Sequence, residues 1–176
     1  MGNGQAVVPT WPARCSCREV SLDARSCGRH LRSMSELTLP EGYAPHFRKS
    51  RFTDPWEPLF SKKEAMQVSI GLWLGEAHCN SRGLVHGGLI ASLADNAMGL
   101  SCAAALETEG KPAPSGLVTV NLSADYLGSA KLGQWLATDT NFVRTGRSLC
   151  FAGCLIHADG TPVARAIATF KVISAS

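Results

Sequence analysis

A long apolar segment with a single ionisable side chain limits the possible folds of this chain more than any other feature. Between residues 87 and 106 the only acidic or basic residue is Asp95. A helix of about twenty residues spans about 30 Å, the width of a small domain. Because so apolar a helix must be covered, we predict a helix over residues 86–106 that is largely enclosed by the rest of the protein.

The segments on either side have the pattern of antiparallel strands. One candidate strand, residues 64–75, precedes the helix, and four follow it through short turns. In residues 118–127 simple alternation puts Val118 and Val120 on the same face as Leu122, Ala124 and Tyr126, with Thr119 on the other face. Consecutive strands joined by short turns form an antiparallel sheet that one helix can cover, so the predicted fold class is α+β.

Composition and charge narrow the class of protein. The chain has 176 residues, of which 45% are hydrophobic and 18% are charged, which is typical of one globular domain. The net charge of +3 resides in residues 1–33, and the neutral remainder does not indicate a nucleic-acid partner. Polar residues and the lack of basic flanks also argue against the helix as a membrane span.

The first 33 residues differ from the rest. They lack apolar periodicity and a signal-peptide core, so we predict that residues 1–33 are an unstructured extension or a product of start-site choice and that the domain spans 34–176. A zinc site could be drawn through Cys15, Cys17, Cys27 and His30, but the spacing fits no common zinc module, and no metal is predicted. Seven cysteines without framework spacing favour a reducing compartment, and we expect a cytoplasmic protein in which Cys150 and Cys154 are buried.

A lone carboxylate in an apolar helix needs a partner or a function. Asp95 has no cationic residue three or four positions away, and burial of an unpaired carboxylate is costly. It could be a structural acid, bonded to a hydroxyl or amide of another element. It could also be catalytic, because Gly87 and Gly88 would leave the backbone N–H groups of the first helical turn open to a carbonyl oxygen. A merely flexible entry to the helix is the alternative for the two glycines.

The distance between these groups constrains the catalytic hypothesis. Gly87 and Asp95 are eight residues apart, or about 12 Å along a helix axis. Within one chain they therefore cannot act on the same atom. Two antiparallel helices related by a two-fold axis would bring Gly87 of one subunit to Asp95 of the other, so this hypothesis requires a dimer.

The motifs resemble those of the hotdog-fold acyl-CoA thioesterases of the phenylacetate-degradation (PaaI) type. The resemblance lies in "CNSRGLVHGGLIASLADNAMG", "VNLSADYLGSAKLGQ", "VRTGRSL" and "ADGTPVARAIATFKV", and covers roughly residues 55–173. It implies a hotdog fold, in which a five- to six-stranded antiparallel sheet wraps a long central helix. It also implies that two subunits join their sheets edge to edge and that dimers pair into tetramers.

The resemblance assigns roles to individual residues. It implies that the Gly87 N–H polarises the thioester carbonyl and that Asp95 of the partner subunit is the base or nucleophile. Asn80 would position water or the thioester, and His86 would orient the loop or contact the substrate. Thr119 falls where relatives often carry a hydroxyl that holds the water.

A second segment, "VRTGRS", resembles the part of these enzymes that meets the nucleotide of coenzyme A. Arg144 and Arg147 would supply charge for the phosphates, and Gly146 and Ser148 would make close backbone or hydroxyl contacts. Gly88 would also lie against the substrate. Both arginines could equally be solvated turn residues. Coenzyme A would be part of the substrate, and no cofactor is expected.

Two functions from different classes remain open. The first is hydrolysis of acyl-CoA thioesters with small, medium-chain or aromatic acyl groups, and the second is a non-catalytic acyl-CoA-binding or regulatory module. No His suits a serine triad with Ser92, no base is evident for Cys79 as a nucleophile, and hotdog hydratases place their Asp and His differently. An acyl pocket could be lined by Phe47, Phe52, Trp56, Phe60 and Trp73, but the acyl group is not identified.

Overall fold

The computed structural model describes residues 38–111 and 114–173, which form one long helix and one antiparallel sheet. The helix, α1, runs over Gly87–Thr108, close to the predicted bounds. The strands are β1 (Ala44–Pro45), β2 (Phe60–Lys63), β3 (Val68–Trp73), β4 (Gly116–Tyr126), β5 (Trp135–Thr145), β6 (Leu149–Ala158) and β7 (Thr161–Ile173). The proposed extension and its Cys15, Cys17, Cys27 and His30 lie outside the described residues.

The sheet has the strand order β1-β2-β3-β5-β6-β7-β4, and every neighbouring pair is antiparallel. The α+β prediction is confirmed. The sheet has seven strands because two short ones, β1 and β2, precede the expected set. One edge is the eleven-residue strand β4, which pairs only with β7 among the described residues.

The helix is buried on most of its circumference. Twelve of its side chains are buried, Leu93, Ala97 and Met98 among them. By length and mean hydropathy α1 could cross a membrane, but 67% of its apolar window is buried inside the protein, as in the core helix of a globular domain. A narrow stripe at helical spacing stays less covered, and it consists of Gly88, Ala91, Ser92, Asp95, Asn96, Gly99 and Ala103.

The predicted alternation along β4 is wrong at its first half. The register between β4 and β7 shifts between Thr119 and Asn121, so Val120 forms a β-bulge. Thr119 pairs with the buried Phe170 and therefore shares the helix-facing side with Leu122 and Tyr126. Val118 and Val120 are 55% and 62% exposed. An extra residue in a strand reverses the faces of those before it, which alternation in one sequence does not reveal.

Two buried hydroxyls complete the hydrogen bonding of β3. Its pairing with β5 covers only Gly71 to Trp73, which leaves the N–H groups of Val68 and Ile70 without strand partners on that side. The Ser101 hydroxyl accepts from the Val68 N–H at 2.9 Å, and the Thr138 hydroxyl accepts from the Ile70 N–H at 2.8 Å. Ser101 thus fastens α1 to the sheet through a hydrogen bond in the core.

We expect Ser101→Ala to lower the free energy of unfolding by about 1–3 kcal/mol, because it leaves the buried Val68 N–H without an acceptor. Ser92→Ala on the same helix is the matched control, since its hydroxyl only donates to the Gly88 carbonyl at 2.8 Å on the exposed side. Urea unfolding of both variants measures the difference. Equal stability of the two variants would contradict this role for Ser101.

Candidate active site

The carboxylate of Asp95 lies on the stripe of α1 that the sheet leaves open, and it is half-buried in the isolated chain. The Thr119 hydroxyl donates to its Oδ1 at 2.8 Å. The other carboxylate oxygen has no hydrogen-bond partner among the described residues, so it can accept a proton or attack an electrophile. The β-bulge in β4 is what turns Thr119 toward the helix.

The first turn of α1 leaves one amide open. Helices begin with four N–H groups that have no intrahelical acceptor. The His86 imidazole Nδ1 accepts from the Gly88 N–H at 3.0 Å, and the His86 carbonyl accepts from Leu89 and Ile90 at 3.0 and 3.4 Å. The Gly87 N–H therefore remains, within the described part of the chain, without an acceptor. A single open amide at a helix N-terminus suits an oxygen that carries partial negative charge.

Aromatic side chains lie close to both glycines. A Cβ at Gly87 would lie 3.1 Å from the ring of Tyr126, and one at Gly88 would lie 3.0 Å from the imidazole of His86. The Tyr126 hydroxyl donates to the Gly87 carbonyl at 2.8 Å. Sequence analysis missed this contact because Tyr126 is 39 positions from Gly87, and no local pattern links them.

The side chain of Asn80 organises the loop before the helix. Its Oδ1 accepts from the N–H groups of Arg82 and Leu84 at 2.9 and 3.3 Å. The side-chain N–H₂ group has no acceptor among the described residues, and Asn80 lines the same cavity as Gly87. It can therefore donate to a ligand while its oxygen holds the loop.

The candidate residues lie in two separate regions of the chain, one at the start of α1 and one farther along it. Asn80, His86, Gly87, Gly88 and Tyr126 line a cavity of about 320 Å³ at the start of α1. Asp95 and Thr119 line one of about 280 Å³ and a neighbouring one of about 450 Å³ farther along the helix. No residue lines both the first cavity and either of the others. One chain therefore carries the two halves of the candidate site apart.

The turn from β5 to β6 lies beside the C-terminal end of α1, about 20 Å from Asp95 by helix rise. Lys111 donates to Thr145 Oγ1 at 2.7 Å and pairs with Glu109 at 2.6 Å. Hydrogen bonds from Lys111 and Thr145 hold the pKa of Glu109 below its ordinary value. This network fastens the turn to the helix, and sequence analysis did not identify Lys111.

The four residues predicted to bind coenzyme A differ in their surroundings, and one of them, Arg144, lies in β5 before the turn. Gly146 donates to the Leu149 carbonyl at 2.8 Å, and a Cβ there would lie 2.6 Å from that oxygen, so the tight turn needs glycine. Arg147 and Ser148 are exposed on the turn. Arg144 lies at the end of β5, where it pairs with Phe151 on the sheet face away from α1, and its side chain is exposed.

The remaining residues singled out from the sequence are three cysteines and five aromatic residues. Burial raises the pKa of the Cys79 thiol, which disfavours the thiolate that a nucleophile needs. Cys150 and Cys154 are buried as predicted. Phe52 lines the depression beside Asp95, with Trp56 packed on its ring, and Phe47 lines a cavity farther along α1. Phe60 and Trp73 instead pack on Trp135.

Comparison with known proteins identifies the family. Residues 82–164 match the model of the thioesterase superfamily. The chain is 36% identical over 137 residues to a Pseudomonas aeruginosa protein described as an esterase, covering 77% of this chain and 98% of that one. It is 38% identical over 76 residues to Homo sapiens acyl-coenzyme A thioesterase 13, covering 43% of this chain and 50% of that one.

A solved structure shares the fold. The crystal structure of a hypothetical thioesterase protein from Streptococcus pneumoniae with coenzyme A superimposes with a TM-score of 0.59 at 25% identity, over 68% of this chain and 91% of that one. The resemblance to hotdog thioesterases is thus confirmed in both sequence and fold. The chain belongs to the thioesterase superfamily, and it is a hotdog-fold thioester hydrolase.

Proposed function

We propose that this protein hydrolyses acyl-CoA thioesters to a free acid and coenzyme A, with each active site built from two copies of the chain. The observation that carries the proposal is the pairing of one open amide at Gly87 with a carboxylate at Asp95 that keeps one oxygen unbonded. A relative of the chain is an acyl-coenzyme A thioesterase, and a similar structure contains coenzyme A. Both support an acyl-CoA substrate.

In this mechanism the Gly87 N–H donates to the thioester carbonyl oxygen and stabilises the negative charge that develops there. Asp95 of the partner subunit takes a proton from water, or its free oxygen attacks the carbonyl carbon directly. The Thr119 hydroxyl donates to Asp95, and its lone pairs can accept a hydrogen bond from the water. Collapse of the tetrahedral intermediate breaks the C–S bond and releases the thiolate of coenzyme A. On the base route the thiolate takes the proton that Asp95 accepted from water, and the free acid leaves. On the nucleophilic route an anhydride between the acyl group and Asp95 remains, and water hydrolyses it to the free acid and the Asp95 carboxylate, with the released proton going to the thiolate.

The edge strand β4 supports the proposed homodimer. Thr119 contacts Asp95 near one end of β4, and Tyr126 contacts Gly87 at the other end. Antiparallel pairing of two copies along this edge about a two-fold axis exchanges its ends, so each Asp95 moves toward the Gly87 of the partner subunit. An edge of eleven residues that has no second strand partner among residues 38–111 and 114–173 also exposes N–H and C=O groups that such pairing would satisfy.

The opposite face of the sheet supports a dimer of dimers. Phe142, Phe151 and Ile167 are 54%, 43% and 63% exposed there. Phe142 and Ile167 flank Gly153 in one row across three strands, so these side chains form one apolar patch. We propose that a second dimer covers it, since patches of this kind mark association surfaces.

The proposed reaction uses only protein groups and water.

The proposed location of the protein is the cytoplasm. The four cysteines of the described residues are free thiols. Free thiols without a disulfide framework suit a reducing compartment.

We expect Asp95→Asn to lower kcat about 10²- to 10⁴-fold while the protein stays folded, because the amide can neither accept the proton nor attack. Cys79→Ser is the matched control and should keep its activity. Thiol release from a panel of acyl-CoA esters measures both. Binding of acyl-CoA without release of thiol by the unmodified protein would favour the non-catalytic binding module instead.

The shared site can be tested by subunit mixing. Asp95→Asn and Gly87→Ala, which presses a methyl group against Tyr126, should each be nearly inactive. In an equal mixture, half of the dimers are mixed and carry one intact site, so activity should return to about a quarter of the unmodified level. A mixture that stays inactive after confirmed exchange of subunits would place both groups in one chain.

For the turn at residues 146–148, we expect Arg147→Ala to raise KM for acyl-CoA about tenfold, because a charge-assisted phosphate contact is lost. The same variant should act normally on an acyl thioester of N-acetylcysteamine, which lacks the nucleotide. An equal rise in KM for both substrates would mean that Arg147 has no specific contact with the phosphates.

A further inference from the structure

We infer that Tyr126 is a positioning residue, which fixes the peptide between Gly87 and Gly88 and thereby aims the open Gly87 amide. The inference rests on the proposed function of that amide. Tyr126 lies at the end of β4, and its hydroxyl donates to the Gly87 carbonyl at 2.8 Å. Its ring lines the cavity at the start of α1 together with Gly87 and Gly88.

The peptide between the two glycines is held at both of its polar atoms. Its carbonyl accepts from Tyr126, and its N–H donates to the imidazole Nδ1 of His86 at 3.0 Å. Because each bond polarises the peptide in the direction that strengthens the other, the pair acts as one chain of hydrogen bonds. This peptide is joined through the Cα of Gly87 to the preceding peptide, which carries the Gly87 N–H and is held at the His86 carbonyl by the N–H groups of Leu89 and Ile90. With both peptides held, rotation about Gly87 is restricted, and so is the direction in which its N–H points.

We call these two hydrogen bonds the clamp, and two consecutive glycines make it necessary. Glycine has the greatest backbone freedom of any residue, and the first turn of a helix lacks the hydrogen bonds that order its interior. A Cβ at position 87 would lie 3.1 Å from the Tyr126 ring, closer than an ordinary van der Waals contact, so the ring packs directly against the glycine. A hydrogen-bond donor misplaced by even a fraction of an ångström stabilises a transition state poorly.

The clamp also explains why one amide alone is available. With the Gly88 N–H committed to His86, the substrate oxygen meets only the Gly87 N–H in this turn. Binding His86 Nδ1 to an N–H group requires the tautomer that carries its proton on Nε2. Tyr126 therefore acts through the same peptide as His86, and the effects of the two residues should be coupled.

The test is Tyr126→Phe, which removes the hydroxyl and keeps the ring over Gly87. We expect kcat to fall about fivefold, the rate equivalent of one neutral hydrogen bond, while KM changes less than about twofold. Tyr43→Phe, the one other tyrosine in the sequence, is the matched control, because its ring packs on Trp135 and not on α1. Unchanged kcat in Tyr126→Phe, or a rise in KM alone, would overturn the inference.

A double-mutant cycle measures the coupling between Tyr126 and His86, which a general loss of stability would not produce. Tyr126→Phe combined with His86→Ala should lose less activity than the product of the single losses, because both residues hold one peptide. Independent, multiplicative losses would contradict the clamp. A protein that is inactive with every acyl-CoA before substitution would refute the proposed function instead, so the two failures are distinguishable.

The clamp can also be measured without any activity. In protein labelled with ¹⁵N-glycine, Tyr126→Phe should speed hydrogen exchange of the Gly88 amide severalfold and shift its resonance, while Tyr43→Phe leaves both unchanged. This holds even where the variant is less stable, provided that it is folded by circular dichroism. An unaltered Gly88 amide in folded Tyr126→Phe would show that the hydroxyl does not fix this peptide.

Discussion

The structure depends on the burial of one apolar helix by its own sheet. Close contact is possible because most of the side chains on the inner face of β6 and β7 are small, namely Ala152, Cys154, Ala158, Ala164, Ala166 and Ala168, with Ile156 and Phe170 as the large ones. The helix contributes small residues of its own, such as Ala94, Ala97 and Ala105. Small residues on both sides bring backbone close to backbone, so dispersion contacts and exclusion of water supply the stabilisation that charged pairs do not.

The candidate site follows from where this burial is incomplete. The sheet curves around α1 but ends at β4, and the stripe of the helix beyond that edge is where Asp95 lies. A carboxylate is tolerated there because it is half-buried and receives a hydrogen bond from Thr119. The same edge leaves the start of the helix accessible at Gly87. The incomplete sheet thus exposes both halves of the candidate site and the edge along which we propose that a second copy pairs.

Much of this was predictable from local signals. Glycine and proline mark the ends of α1, and the absence of a second helical pattern left an antiparallel sheet as the fold. Distance along a helix was enough to separate Gly87 from Asp95 and to require a second subunit for the catalytic hypothesis. The helix and the sheet were predicted correctly because each depends on spacing within one element, whereas the second subunit stays a prediction.

The details that sequence analysis missed depend on pairing between distant segments. The bulge at Val120 exists only in relation to β7, so alternation assigned Thr119 to the wrong face. The contacts of Tyr126 with Gly87 and of Lys111 with Thr145 join residues more than thirty positions apart. The short strands β1 and β2 carry Pro and Lys, which do not favour strands, and are held by their neighbours.

The fit between Tyr126 and Gly87 restricts how this protein can change over evolutionary time. A side chain at position 87 would press on the tyrosine ring, which would have to move by a few tenths of an ångström, whereas loss of the tyrosine removes a packing contact and a hydrogen bond from Gly87. A substitution at either position alone therefore weakens the contact between Tyr126 and Gly87. We therefore expect related proteins to keep both residues or to replace both together.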